Sequence, residues 1–140
     1  MLRSVLSVVI GVIVASIIVL IVEVVGHSVT PSPVVLDPKD PTAMALVPLP
    51  AKVAVVLAWF AGALGGGIVA SLIARRWAPA AWVVAATVLL LAGVTMTQFP
   101  HPIWMMFGAV SATGLGGWLA VKATKAYYGR PFIGGPKPGL

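Results

Sequence analysis

The chain has 140 residues, of which 60% are hydrophobic and 9% charged, and it contains no cysteine. A water-soluble domain has about a quarter charged residues, so nine Lys and Arg with three acids cannot coat a globule of this length, which excludes a soluble enzyme. The net charge of +6 and pI near 10.4 would suit a nucleic-acid binder, but the cations are scattered between apolar runs instead of forming a patch; without cysteine there is no disulfide, thiolate nucleophile, zinc finger or iron–sulfur cluster.

What remains is an all-α membrane protein with four apolar runs. The first, Val5 to Val25, is broken only by Ser7, Gly11, Ser16 and Glu23. Its roughly 21 residues match a hydrocarbon core of about 30 Å at 1.5 Å per residue, and a helix is expected over about 5–26. Arg3 could head a signal peptide, but the run is longer than an ordinary signal core, carries a glutamate, and lacks a small-x-small cleavage site. A polar loop, 27–50, follows with six prolines and both aspartates, Asp37 and Asp40. That proline density excludes regular structure over most of it, although Asp40-Pro41-Thr42 could cap a short interfacial helix over Thr42 to Val47. The other spans are expected over about 52–74, 78–97 and 103–122, joined by short connections that make neighbours antiparallel. Residues 1–128 form a single four-helix membrane domain. The Gly/Pro-rich segment 129–140 is a cytoplasmic tail that should be mobile on its own.

The basic residues set the orientation. Arg3, Arg75, Arg76, Lys122, Lys125, Arg130 and Lys137 fall on one side of a four-span model, and only Lys39 and Lys52 on the other. This bias places both termini in the cytoplasm. All three acids and both histidines lie at or near the outer side. Trp77, Tyr127 and Tyr128 at the inner boundary and Trp104 near the outer one form an aromatic belt.

Small residues recur every four positions on two helices: Ala58, Gly62, Gly66, Ala70 and Ala74 on the second, and Gly108, Ala112, Gly116 and Ala120 on the fourth. Such stripes let backbones approach closely where lipid supplies no hydrophobic drive. Their partner is a helix of this chain or of another protein. Sliding the second helix onto the fourth by 50 residues aligns Pro50 with Pro100, Gly66 and Gly67 with Gly116 and Gly117, Ala70 with Ala120, and Arg75 with Lys125. Two like-oriented hairpins are one reading of that register.

One polar cluster could hold chemistry. Glu23 and His27 are four apart and share a helix face, on nearly the same band as Ser7, Gly11 and Ala15; that small, polar band is expected to face the bundle. Thr97, Gln98 and His101 end the third span on the same outer side, so they could converge with Glu23 and His27, with Asp37, Asp40 and Lys52 close enough to join. An acid in a membrane segment needs a partner. The structural reading has Glu23 accept hydrogen bonds from His27, His101 or Lys52 and pin the proline-rich loop. Alternatives are a divalent metal held by Glu23, His27 and His101, a proton or ion path, and a haem between the two histidines. No resident cofactor is expected. Gly65-Gly66-Gly67 lies inside a span and is no phosphate loop, and there is no Gly-x-Ser-x-Gly elbow. Ser111 and Thr113 lie mid-membrane, where bonding to backbone is expected.

Glu23-Val24-Val25-Gly26-His27, Pro31-Ser32-Pro33, Asp37, Asp40, Leu49-Pro50, Trp59, the second-helix glycines and Pro100-His101-Pro102-Ile103-Trp104 together resemble a family of small, uncharacterised bacterial four-helix integral membrane proteins. The resemblance runs from Glu23 to about Trp118. It implies the four-helix topology and one site for the two histidine segments, and carries no activity. The expected function is non-enzymatic: an accessory or scaffold subunit of a membrane complex, or a homo-oligomer packed through Gly62, Gly66, Ala70, Gly108, Ala112 and Gly116, with lipid and other membrane subunits as partners and no nucleic acid. A small proton or ion carrier or channel gated at the Glu/His cluster is the alternative, and a metal- or haem-binding membrane protein the third.

Overall fold

The computed structural model describes residues 2–31, 40 and 42–129; Asp37 and the tail from 130 on lie outside the described residues. Five helices follow in order: α1 (Leu2–Val29), α2 (Ala43–Leu46), α3 (Leu49–Ile73), α4 (Ala78–Gln98) and α5 (Ile103–Ala123). All but α2 are long and apolar enough to cross a membrane. Valine and isoleucine, which dominate α1, are mediocre helix formers in water. In lipid the backbone must satisfy its own hydrogen bonds, and helix is the form in which one segment can do so.

The boundaries refine the sequence expectation in the polar loop. α1 runs on to Val29 because the side chains of its last turn bond back to it: His27 Nδ1–H donates to Glu23 O (2.9 Å) and Ser28 Oγ to Val25 O (2.7 Å). Pro31 disfavours helix at the residue before it. Thr30 therefore ends the helix, giving Gly26 O both its N–H (2.9 Å) and its hydroxyl (2.7 Å). The short helix is one turn, shorter than expected; Asp40 Oδ1 holds its approach by accepting from Thr42 N (2.8 Å) and Thr42 Oγ1 (2.7 Å). α3 starts at Leu49, with proline in its first turn, where the missing N–H has no consequence.

α3 is the hub. It packs against α1, α4 and α5; α4 also touches α1 and α5, while α1 and α5 stay apart. The interior is made of small residues: Ala58, Ala63, Ala70, Ala78, Ala80 and Ala81 are fully buried, whereas Leu90 and Phe107 are each 71% exposed. Large apolar side chains facing outward over an alanine core fit a lipid solvent.

The small-residue stripes close within the chain. A Cβ on Gly66 would run into the Gly11 carbonyl oxygen and lie 2.6 Å from Ala15 Cβ; one on Gly62 would lie 2.5 Å from Val19 Cγ2; one on Gly11 would lie 2.6 Å from Ala70 Cβ. The Ser7, Gly11 and Ala15 band of α1 is buried, as expected. On α5, a Cβ on Gly116 would meet Phe60 O at 2.8 Å, and one on Gly108 would touch Val56 at 3.4 Å; Ala112 is half-buried.

The last turns of α3 and α5 are built alike, fifty residues apart. In α3, Arg75 N–H bonds Leu72 O (3.1 Å) and Arg76 N–H bonds Ser71 O (2.7 Å); in α5, Lys125 N–H bonds Lys122 O (3.1 Å) and Ala126 N–H bonds Val121 O (3.0 Å). Both are Schellman ends, whose left-handed position is ordinarily glycine. Here Arg75 (φ 56°) and Lys125 (φ 50°) occupy it, and Arg76 (φ 62°) follows. The left-handed form costs a residue with a Cβ about 1–2 kcal/mol. The two ends are tied by a buried Ser71–Thr124 hydroxyl bond (3.1 Å) and by Tyr127, whose N–H bonds Arg76 O (2.9 Å) and whose carbonyl accepts Ala78 N–H (3.0 Å). Trp77 Nε1 donates to Gly129 O (2.7 Å) and Trp82 Nε1 to Tyr128 Oη (2.9 Å). Arg3 Nε reaches Ile73 O (2.7 Å), fastening α1 to the same end.

Gly66→Val should destabilise the fold by about 1–3 kcal/mol, because backbone stands where the side chain must go. Gly114→Ala, with nothing within 4 Å of its Cβ, should be neutral or stabilising by up to about 1 kcal/mol. Thermal unfolding midpoints in one detergent measure both.

Candidate functional site

The basic end of the bundle is strapped shut, and the opposite half opens between α1 and α4. There a groove of about 240 Å³ is lined by Ser16, Val19, Leu20 and Glu23 of α1, Trp59 of α3, and Val88, Leu91, Ala92 and Thr95 of α4. Trp59, Val88 and Ala92 are its most buried lining residues, at 4%, 4% and 1% exposed. The helix spacing explains the opening. Gly11, Ala15, Gly62 and Gly66 draw α1 onto α3 in the other half, while no such glycine contact joins α1 to α4 near Glu23.

Glu23 is half-buried, in the groove wall. Its carboxylate has no hydrogen-bond or ion-pair partner among the described residues. Two hydroxyls of the groove lining are already spent as donors, Ser16 Oγ on Val12 O (2.9 Å) and Thr95 Oγ1 on Leu91 O (3.1 Å). The Trp59 indole N–H has no partner among the described residues. The groove therefore offers one acid, hydroxyl lone pairs and an indole donor between apolar walls.

Of the other members of the sequence-derived cluster, His27 stays close to Glu23. It is exposed, its ring donates to the Glu23 carbonyl (2.9 Å), and it is near enough to the carboxylate to interact with it without a hydrogen bond. His101 is half-buried in the α4–α5 connection, where Nδ1–H donates to Phe99 O (2.7 Å). Thr97 and Gln98 are exposed, Thr97 donating to its own helix at Val94 O (2.7 Å). Lys52 is half-buried in the first turn of α3, and Asp40 serves the approach to α2. Asp37 lies outside the described residues. Among the described residues no three His, Cys, Asp or Glu side chains gather to hold a metal ion, so Glu23, His27 and His101 do not form the anticipated ligand set. The physical reason is the packing order: α1 does not touch α5, so the segment leading into α5 is not drawn to the end of α1. Thr113 bonds Ala109 O (2.7 Å), as expected of a mid-membrane hydroxyl, whereas Ser111 is exposed and makes no hydrogen bond with a described residue.

Sequence reading missed that Trp59, Ser16 and Thr95 line one groove with Glu23. Ser16 lies off the Ser7, Gly11 and Ala15 band, and Trp59 reads as an ordinary core aromatic. No family model, no curated protein and no solved structure matches this chain.

With no hydrogen bond or ion pair to a described residue, the carboxylate of Glu23 does not tie the described helices together. Glu23→Leu should leave the thermal midpoint of the isolated chain in detergent unchanged or raised. A fall equivalent to more than about 1 kcal/mol, the worth of an ordinary hydrogen bond, would show that the acid is tied within the chain.

Proposed function

We propose that this multi-pass membrane protein is a non-enzymatic subunit of a bacterial inner-membrane assembly, both termini in the cytoplasm, and that the α1–α4 groove receives a helix of a partner. The observation that carries this reading is Glu23: an acid within a membrane span, in the wall of an open groove, with no hydrogen bond or ion pair to a described residue and only the exposed His27, one turn along the same helix, as a charged neighbour. Such a group costs several kcal/mol in lipid unless paired or hydrated. A lysine, arginine or histidine on an incoming helix would supply the pair, and Trp59 with the apolar walls would supply packing.

The small-residue faces support the same choice. Gly62, Gly66 and Ala70 are occupied by α1, and Gly116 by α3, so assembly through those stripes would require opening the bundle. A proton or ion path has less support. The buried polar side chains Ser7, Ser71, Thr113 and Thr124 bond to backbone or to each other, and none of them lines the groove.

The test is extraction from native membranes in mild detergent followed by native mass measurement. A stoichiometric second component should accompany the chain, and Glu23→Leu should reduce its recovery about tenfold or more, as loss of a charged hydrogen bond of about 1.5–3 kcal/mol requires. A single species of one-chain mass from the wild type overturns the reading.

A further inference from the structure

We infer that the basic end carries a selective site for the phosphodiester headgroup of an anionic phospholipid, formed by Arg75, Arg76 and Lys125. Arg75 and Lys125 stand at equivalent positions of two Schellman ends, and with Arg76 they hold φ between 50° and 62°, the region that favours glycine. Glycine is abundant in this chain, with 15 copies, yet none is used at these three positions. The helix dipole favours cations near a C-terminus, but a cation within the last turn obtains that gain without a left-handed backbone. Strained positions held by their surroundings are found where a side chain serves a function.

The surroundings hold these three together. The segment after Lys125 is strapped to the one after Arg76 by Tyr127 N–H to Arg76 O (2.9 Å) and Ala78 N–H to Tyr127 O (3.0 Å). All three side chains are exposed, and none forms a hydrogen bond or ion pair with a described residue. No described residue at this end supplies a counter-charge: of the chain's three acidic side chains, Glu23 lies in the opposite half of α1, Asp40 precedes α2, and Asp37 lies outside the described residues.

The surface below the cations identifies a lipid as the source of the anion. Leu72, one turn before Arg75 and Arg76, is 51% exposed and would lie along an acyl chain. Tyr128, 68% exposed, and Trp82, which donates to it, mark the level of the headgroups. A soluble phosphate would use the cations and leave this apolar wall uncovered. Arginine is the cation suited to bidentate phosphate contact.

Native mass spectrometry of the full chain, released from micelles containing equal phosphatidylglycerol and phosphatidylcholine, tests the site. The wild type should retain phosphatidylglycerol at least threefold over phosphatidylcholine. R75N/R76N, in which asparagine tolerates the left-handed backbone, should fall to parity, and R75K/R76K, which keeps the charge but loses the bidentate fork, should fall between the wild type and R75N/R76N. Lys125→Asn gives an independent second arm and should reduce the preference at least partly. Parity in the wild type, full preference in R75N/R76N or in Lys125→Asn, or displacement of the lipid by millimolar inorganic phosphate would each overturn the inference.

Discussion

Everything in this bundle depends on how closely backbones can approach in a solvent that gives apolar side chains no reason to leave it. Lipid removes the hydrophobic drive between helices and leaves van der Waals packing and polar contacts to hold them. Gly11, Gly62 and Gly66 answer that constraint, because at each a single Cβ would collide with the neighbouring helix. The alanine interior follows from the same spacing, and so does the outward placement of leucine, isoleucine and phenylalanine. α3 is the hub because it carries small residues on two faces, one turned to α1 and one to α4 and α5.

The two ends of the molecule diverge from this common core. At the basic end, Ser71 with Thr124, and Trp77, Tyr127 and Arg76 with their backbone partners, lock the helix termini to one another. The cost is three left-handed residues. Toward the opposite end, α1 keeps its contact with α3 but separates from α4, and Glu23 is left facing the gap. Rigidity and positive charge thus sit together at one end, while openness and the acid sit together in the other half. The first arrangement suits a fixed contact with headgroups; the second leaves room for a partner that brings its own polar group.

Much of the architecture was legible in the residues. Apolar runs of span length gave four helices, and the ends of α4 and α5 differ from expectation by a residue. The Ser7, Gly11 and Ala15 band faced inward as its composition required, and the register of fifty residues reappears in the hydrogen bonds ending α3 and α5. The candidate site was less legible, because periodicity tells which face of a helix is small and not which helix lies against it. Glu23, His27 and His101 share a side of the membrane, but depth alone does not bring them together when α1 and α5 are not neighbours. Tyr127 and Trp77 read as belt aromatics. That they also join α3 to α5 depends on backbone N–H and C=O groups, which no residue type reveals.

The central claim is that the small-residue faces are closed inside one chain. The native sequence has no cysteine, so the pair Ile18→Cys and Gly65→Cys reports on the α1–α3 contact alone. A Cβ built on Gly65 meets only the Ile18 side chain, whose end Ile18→Cys removes; the Ile18 Cγ1 position, where the new sulfur would stand, lies 3.8 Å from that Cβ, and a shift of about 1 Å reaches disulfide geometry. After mild oxidation in native membranes and separation under denaturing conditions, an internal disulfide in a species of one-chain mass is the expected result. A disulfide-linked species of two chains as the main product would contradict it.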